Sequence, residues 1–234
     1  MRALIFCDQK TIMLARITEP ELMVDEAQVE AYAKADFSEP HQSYVELCQS
    51  RFAGNPVEGW VLDLGCGAGD VTFRFARAFL KTRLVGVDGS TAMLRWAKNA
   101  LKQDLLLAAR IQFLACYLPQ KAIPNHPYSA IISNSLLHHL SDPMVLWHTI
   151  RAYGCPGAQI CIMDLRRPDT EAEARLFVNS YASNESEILQ RDFYNSLRAA
   201  FTPEEVRQQL ICARMNNLEV ESISNRHLLV SGKL

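Results

Sequence analysis

The stretch Trp60-Val61-Leu62-Asp63-Leu64-Gly65-Cys66-Gly67-Ala68-Gly69-Asp70 decides the fold. An apolar, strand-like run ends in glycines at three alternate positions, and a helix-period segment follows from about Val71. Glycine lacks a Cβ, so a Gly-x-Gly-x-Gly turn bends tightly and lets a ligand come close to the backbone. The N–H groups opening the next helix then face that ligand. In a dinucleotide fingerprint a glycine stands where this chain has Asp70, which argues against a pyrophosphate in the turn.

Outward from this turn, short apolar runs alternate with longer helical segments. The expected strands are Trp60 to Leu64, Arg83 to Val87, Ile111 to Ala115, Ser129 to Ser133 and Gln159 to Asp164. The second of them ends in Asp88, nineteen residues after Gly69, where a carboxylate can accept hydrogen bonds from both hydroxyls of an adenosine ribose. Helix starts are marked by Ser90, by Asp142 ahead of Pro143 at a first helical position, and by the boxes Thr170-x-x-Glu173 and Thr202-Pro203-Glu204-Glu205. Leu218 to Ser222 and His227 to Val230, separated by Ser224-Asn225, read as a closing antiparallel pair. Ahead of the sheet, Asp25 to Lys34 (capped by Asp25) and Ser43 to Phe52 read as helices.

The composition fits one domain. Of 234 residues, 49% are hydrophobic, which is ample for a single core. A net charge of -2 and a charged fraction of 21% exclude the basic footprint of a protein that binds chiefly through nucleic-acid phosphates. Ala3 to Cys7 is a short apolar patch broken by Asp8, Gln9 and Lys10; it reads as neither signal peptide nor membrane span, so a cytoplasmic location is expected. Seven scattered cysteines (7, 48, 66, 116, 155, 161 and 212), without a C-x-x-C pair, suggest neither disulfides nor zinc, and no metal is expected. They read as small buried apolar residues.

On Val61-Leu62-Asp63-Leu64-Gly65-Cys66-Gly67-Ala68-Gly69 with Asp88, the chain resembles the class I S-adenosylmethionine-dependent methyltransferases over about Val57 to Asp164. The resemblance implies an α/β, Rossmann-like doubly wound fold: a mostly parallel seven-stranded sheet with an antiparallel C-terminal strand, helices on both faces, N-terminal helices and an inserted helical lid. The corresponding divisions are an N-terminal helical cap (1–56), a cofactor-binding core (57–164), a lid (165–200), and a last helix with closing strands (201–234). S-adenosyl-L-methionine is the implied cofactor and S-adenosyl-L-homocysteine its product. Asp63, Gly65, Cys66, Gly67 and Gly69 would touch its amino-acid part, and Asp88 its ribose. Gly89, Ser90, Met93, Cys116 and Tyr117 would lie by the adenine, although many members carry an Asp near the position of Cys116. Ala130-Ile131-Ile132-Ser133-Asn134-Ser135-Leu136-Leu137-His138-His139 looks like the small-molecule branch that includes the ubiquinone/menaquinone methyltransferases, with Asn134 and Ser135 at the methionine end.

The implied reaction is in-line attack on a sulfonium methyl, so the protein's task is alignment and exclusion of water. A base is needed only for a protonated acceptor, and His139 and Asp164 are the candidates. Only one of His138 and His139 is expected to face the site, with His139 favoured; both also read as ordinary loop residues. Substrate contacts are expected from Tyr32, Phe37 and His41, and from Tyr194 and Arg198 in the lid, where Arg191 and Arg198 share a helical face. Packing aromatics and solvated charges are the alternatives. A small-molecule acceptor is expected, with no membrane partner and a monomer or homodimer. Methylation of tRNA or protein, and a non-catalytic binding module, remain alternatives; a nicotinamide oxidoreductase is disfavoured by Asp70.

Overall fold

The computed structural model describes residues 14–23, 25–119 and 122–234. The apolar patch Ala3 to Cys7 and the cysteine at 7 lie outside them. Two helices come first, α1 (Glu26–Lys34) and α2 (Ser38–Phe52), then β1 (Gly59–Leu64), α3 (Asp70–Ala78), β2 (Thr82–Asp88), α4 (Thr91–Leu101), a single turn α5 (Leu105–Ala108) and β3 (Ile111–Ala115). The chain continues through β4 (Tyr128–Asn134), a 3-10 turn (Leu137–His139), α6 (Met144–Tyr153) and β5 (Gly154–Leu165). Helices α7 (Glu171–Tyr181) and α8 (Glu187–Ala199) precede α9 (Pro203–Cys212), β6 (Leu218–Ser222) and β7 (His227–Lys233).

The seven strands form one sheet in the order β3-β2-β1-β4-β5-β7-β6. Strands β1 to β5 are parallel, while β7 pairs antiparallel with both β5 and β6. The period-two alternation of a strand sorts its side chains between two cores. Leu62, Leu64, Val85, Val87, Ile131, Ile160 and Ile162 face α6 and α9. Val61, Leu84, Ala130, Ile132, Cys161 and Met163 face α2, α3 and α4. Both faces are covered, so these strands read as continuous apolar runs. Strand order reverses between β1 and β4, which opens a crevice at their carboxyl ends.

Local chemistry accounts for the helix boundaries. Asp25, Ser90, Thr170, Ser186 and Thr202 each accept a backbone N–H of the first turn of their helices, and Thr202 with Glu205 completes the reciprocal box. At Thr170 the box is only half made, because Glu173 turns to the N–H of Asp169 instead. Helix α2 begins five residues before the expected Ser43. Pro40 falls in its first turn, where no N–H partner is required, and Asp36 accepts the Ser38 N–H at 2.9 Å. Asp142 accepts the Met144 N–H at 2.9 Å, so Pro143 precedes α6 rather than opening it. Cys48, Cys66, Cys116 and Cys161 are buried as expected, but Cys212 is exposed.

Trp147 of α6 is fully buried, and its indole N–H donates to Gln209 Oε1 of α9 at 2.9 Å, so it locks the two helices of one face together. Trp147→Ala should cost about 3–5 kcal/mol from the cavity it leaves. Trp147→Phe should cost about 1–3 kcal/mol, because the Gln209 amide then stays buried without its donor. Urea unfolding of the three proteins measures both, and a Phe variant as stable as the parent would remove the hydrogen bond from this account.

Candidate active site

A cavity of about 640 Å³ lies over the carboxyl ends of β1, β2, β4 and β5. The glycine turn is its floor. Gly65, Gly67 and Gly69 all have positive φ, and Gly69, at φ 88°, starts α3. The tip of β2 fixes this turn: Asp88 accepts the Gly67 N–H at 2.8 Å and the Ser90 N–H at 2.7 Å. Burial pushes the Asp88 carboxyl upward, and these two N–H bonds oppose the shift. One level below, Asp63 is buried and accepts from Thr72 Oγ1 at 2.5 Å, which anchors β1 to the first turn of α3.

All the residues expected around a cofactor line this cavity: Asp63, Gly65, Cys66, Gly67, Gly69, Asp88, Gly89, Ser90, Met93, Cys116, Tyr117, Asn134 and Ser135. Ser135 holds φ 58°, a costly conformation for a side-chain-bearing residue, and its N–H donates to Met163 O. Asn134 Oδ1 is buried without a hydrogen-bond partner. A Cβ placed at Gly67 would meet only Met93 Cε, at 3.2 Å, so the space above the turn is open.

The walls come from parts of the chain distant in sequence. Tyr32, Phe37 and His41, expected as substrate contacts, line the cavity as a ring cluster with centroids 4.8 and 5.5 Å apart. His41 is also committed elsewhere: its Nδ1 lies 2.8 Å from Asp70 Oδ2, which Arg74 meets as well, tying α2 to α3. Burial would raise the Asp70 carboxyl, but these two partners hold it below the usual range. Helix α8 presents Leu189, Asp192, Phe193 and Ser196, the i, i+3, i+4, i+7 face. Tyr194 and Arg198 are therefore outside the lining. Tyr194 donates to Glu171 and so ties α8 to α7, and the Arg198 guanidinium lies 5.4 Å from the Tyr194 ring centroid on the same helix. Arg191 pairs with its neighbour Asp192 and is exposed.

Sequence reasoning missed the segment 16–23, which lacks both periodicity and motif. Arg16 donates to Ala199 O, His138 O and Leu140 O at 2.6, 3.1 and 2.9 Å and lies over the Phe201 ring. Glu21 accepts the Ser141 N–H at 2.7 Å and meets Tyr117, while Ser90 Oγ donates to Met23 O at 2.6 Å. This strap brings Glu19 and Glu21 into the cavity. The only available signal was a carboxylate on either side of Pro20.

The two adjacent histidines correct a further expectation, since both line the cavity. The 3-10 turn sets their rings at a tilt with centroids 4.1 Å apart. His138 Nδ1 lies 2.5 Å from Asp164 Oδ1, and Asp164 also accepts the N–H groups of Leu137 and Leu165 at 2.6 and 2.7 Å. Asp164 is buried behind His138 and is not part of the lining. Burial opposes charge on both partners, but each outweighs it for the other: His138 is raised and Asp164 lowered. His139 is pushed down to about 3 by burial and the neighbouring ring, so at neutral pH it is a poor proton acceptor. Glu19 Oε1 lies 3.5 Å from His138 Nε2 and 3.2 Å from His139 Nδ1, and accepts from Ser196 Oγ at 2.9 Å.

Comparison with known proteins gives a consistent picture. The methyltransferase domain family matches residues 61–156. A trans-aconitate 2-methyltransferase of Azoarcus sp. (strain BH72) is 32% identical over 109 residues, 47% of this chain and 40% of the relative. An uncharacterised methyltransferase of Schizosaccharomyces pombe is 27% identical over 105 residues, 43% of this chain and 38% of the relative. The chain thus spans about two fifths of the length of these curated relatives. Among solved structures, the plantazolicin methyltransferase BpumL, in complex with a triazolic analogue and S-adenosylhomocysteine, superposes with a TM-score of 0.67 at 15% identity, covering 88% of this chain and 90% of that one. A SAM-dependent methyltransferase from Aquifex aeolicus gives 0.65 at 17% identity, covering 90% and 99%. Among the described residues, no helix is long and apolar enough to cross a membrane.

Burial lifts the Asp63 carboxyl from an ordinary 3.8 to about 7, so between these values the folded chain keeps a proton that the unfolded chain has released. The stability tied to that proton is complete below the lower value and is lost as pH rises through the higher one. The stability advantage of Asp63→Asn over the parent in urea unfolding should grow from about pH 4 to about pH 7 and then level off. Parallel pH profiles for the two proteins would contradict it.

Proposed function

We propose that this chain, which carries a methyltransferase domain of the class I fold, transfers a methyl group from S-adenosyl-L-methionine to a small-molecule acceptor. One observation carries the cofactor reading: an open glycine turn and the carboxylate of Asp88 are joined by a 2.8 Å hydrogen bond at the floor of a large cavity. The residues present fit the group. Each Asp88 oxygen accepts a single N–H, which leaves lone pairs for two ribose hydroxyls. The unpartnered Asn134 Oδ1 suits an ammonium donor, and the space above Gly67 admits a chain that a Cβ would crowd. Leu22 and Tyr117 pack against Gly89 and border the same cavity, giving apolar surface for the adenine.

When bound, the cofactor supplies a methyl activated by a positively charged sulfur, and the electron pair of the broken carbon–sulfur bond stays on that sulfur as a neutral thioether. The protein's residues align the acceptor and keep water out. The Tyr32 and Phe37 rings offer a face to the sulfonium, worth about 0.5–2 kcal/mol. Glu19, His138 and His139 form one polar group beside the acceptor, with Asp164 positioning His138, and an acceptor that arrives protonated releases its proton past them to solvent.

The cover over the crevice supports a small acceptor. Gln28 Nε2 of α1 donates to Asp192 Oδ2 of α8 at 2.8 Å, so cap and lid meet above the strand ends. The trans-aconitate 2-methyltransferase among the curated relatives points the same way.

Methyl-labelled cofactor incubated with the protein and a cell extract should yield a labelled low-mass product that separates from the cofactor by chromatography and is missing when the protein is left out. Label confined to retained protein or RNA would overturn the small-molecule reading. Asp88→Ala should weaken S-adenosylhomocysteine binding by about 1–3 kcal/mol in calorimetry, through lost ribose hydrogen bonds and a freed Gly67 N–H. Gly67→Val should bind more weakly still, because a β-branched residue at φ 51° is strained and fills the cradle. Parent-like affinity in both folded variants would move the cofactor away from this turn.

A further inference from the structure

The group Glu19, His138 and His139 offers two imidazole nitrogens and one carboxylate oxygen on a single wall of the cavity, all within 4.8 Å of one another. Ligands bound at about 2.0–2.2 Å to one ion in tetrahedral or octahedral positions lie about 3–3.5 Å apart. The carboxylate-to-nitrogen separations here are 3.2 and 3.5 Å.

The surroundings match what a metal-binding histidine needs. His138 turns Nδ1 to Asp164, and a ring nitrogen that donates there leaves Nε2 with its lone pair facing Glu19. That carboxylate–histidine arrangement fixes the tautomer and ring of metal ligands generally. Arg16 clamps the turn that carries both histidines through the carbonyls of His138 and Leu140. Asp164, Asp192 and Glu21 add negative charge around the group, against the guanidinium of Arg16. His227 and Arg226 line the same cavity.

We propose that Glu19, His138 and His139 bind one divalent first-row metal ion, and that this ion holds an oxygen of the methyl acceptor in front of the cofactor. Two histidines and one carboxylate occupy one side of such an ion and leave positions open for the acceptor. The metal site stands on the three side chains alone, whereas the acceptor's attachment to it rests on the methyltransferase reading. No redox step is involved. The ion polarises the acceptor oxygen and fixes its angle of approach, and the released proton passes to solvent.

The test titrates the full chain, stripped with chelator, with Co2+ alone, following its visible absorption and the bound ion by equilibrium dialysis. One Co2+ per chain is expected, with Glu19→Gln and His139→Ala each binding about tenfold or more weakly. Glu19→Gln preserves volume and carries the test alone if His139→Ala does not fold. Binding of S-adenosylhomocysteine should persist in every folded variant. Absence of a saturable Co2+ signal in the parent, or equal affinity in parent and variants, overturns the site. Saturable Co2+ binding without any S-adenosylhomocysteine binding would retain the metal site and sink the methyltransferase reading instead.

Discussion

The hydrogen bonds of one carboxylate organise this molecule. Asp88, at the end of β2, receives the N–H of Gly67 from the turn after β1 and that of Ser90 from the start of α4. Two strand-to-helix junctions are thereby held at a fixed distance, and the crevice between them acquires a rigid floor. The constraint is expensive, because the carboxylate is half-buried and its burial works against its charge. A half-buried acid with spare lone pairs beside an open backbone turn is therefore better explained by a polar ligand than by packing.

The sheet and the floor of the site were legible because both depend on short-range rules. A strand covered on both faces must be apolar throughout, a turn with positive φ at alternate positions must use glycine, and an N-cap needs a small oxygen-bearing side chain. Those rules placed β1, β3 and β6 and the caps at Asp25, Ser90 and Thr202. They misplaced the start of α2, which opens at Ser38 with Pro40 in its first turn rather than at Ser43.

The walls of the site were legible only in part. Helix α8 was recognised, but its orientation was not: the Asp192–Phe193–Ser196 side faces inward, while Tyr194 turns to Glu171 of α7 with Arg198 beside its ring. Periodicity identifies a shared face, whereas long-range packing decides which face turns inward. The strap 16–23 gave even less away, because its role is carried by Arg16 reaching carbonyls more than 120 positions distant. The His138-His139 pair was visible, yet a 3-10 turn rather than an α-helix lets both rings reach one wall.

The seam between Arg16 and the lid joins residues 183 positions apart, and the Ile17 N–H to Arg198 O bond lies beside it. A nascent chain can complete β1 to β4 and the glycine turn well before α8 emerges to meet the strap. The chamber above the floor therefore cannot close until α8 and, after it, the Arg226–His227 edge of the cavity have been made.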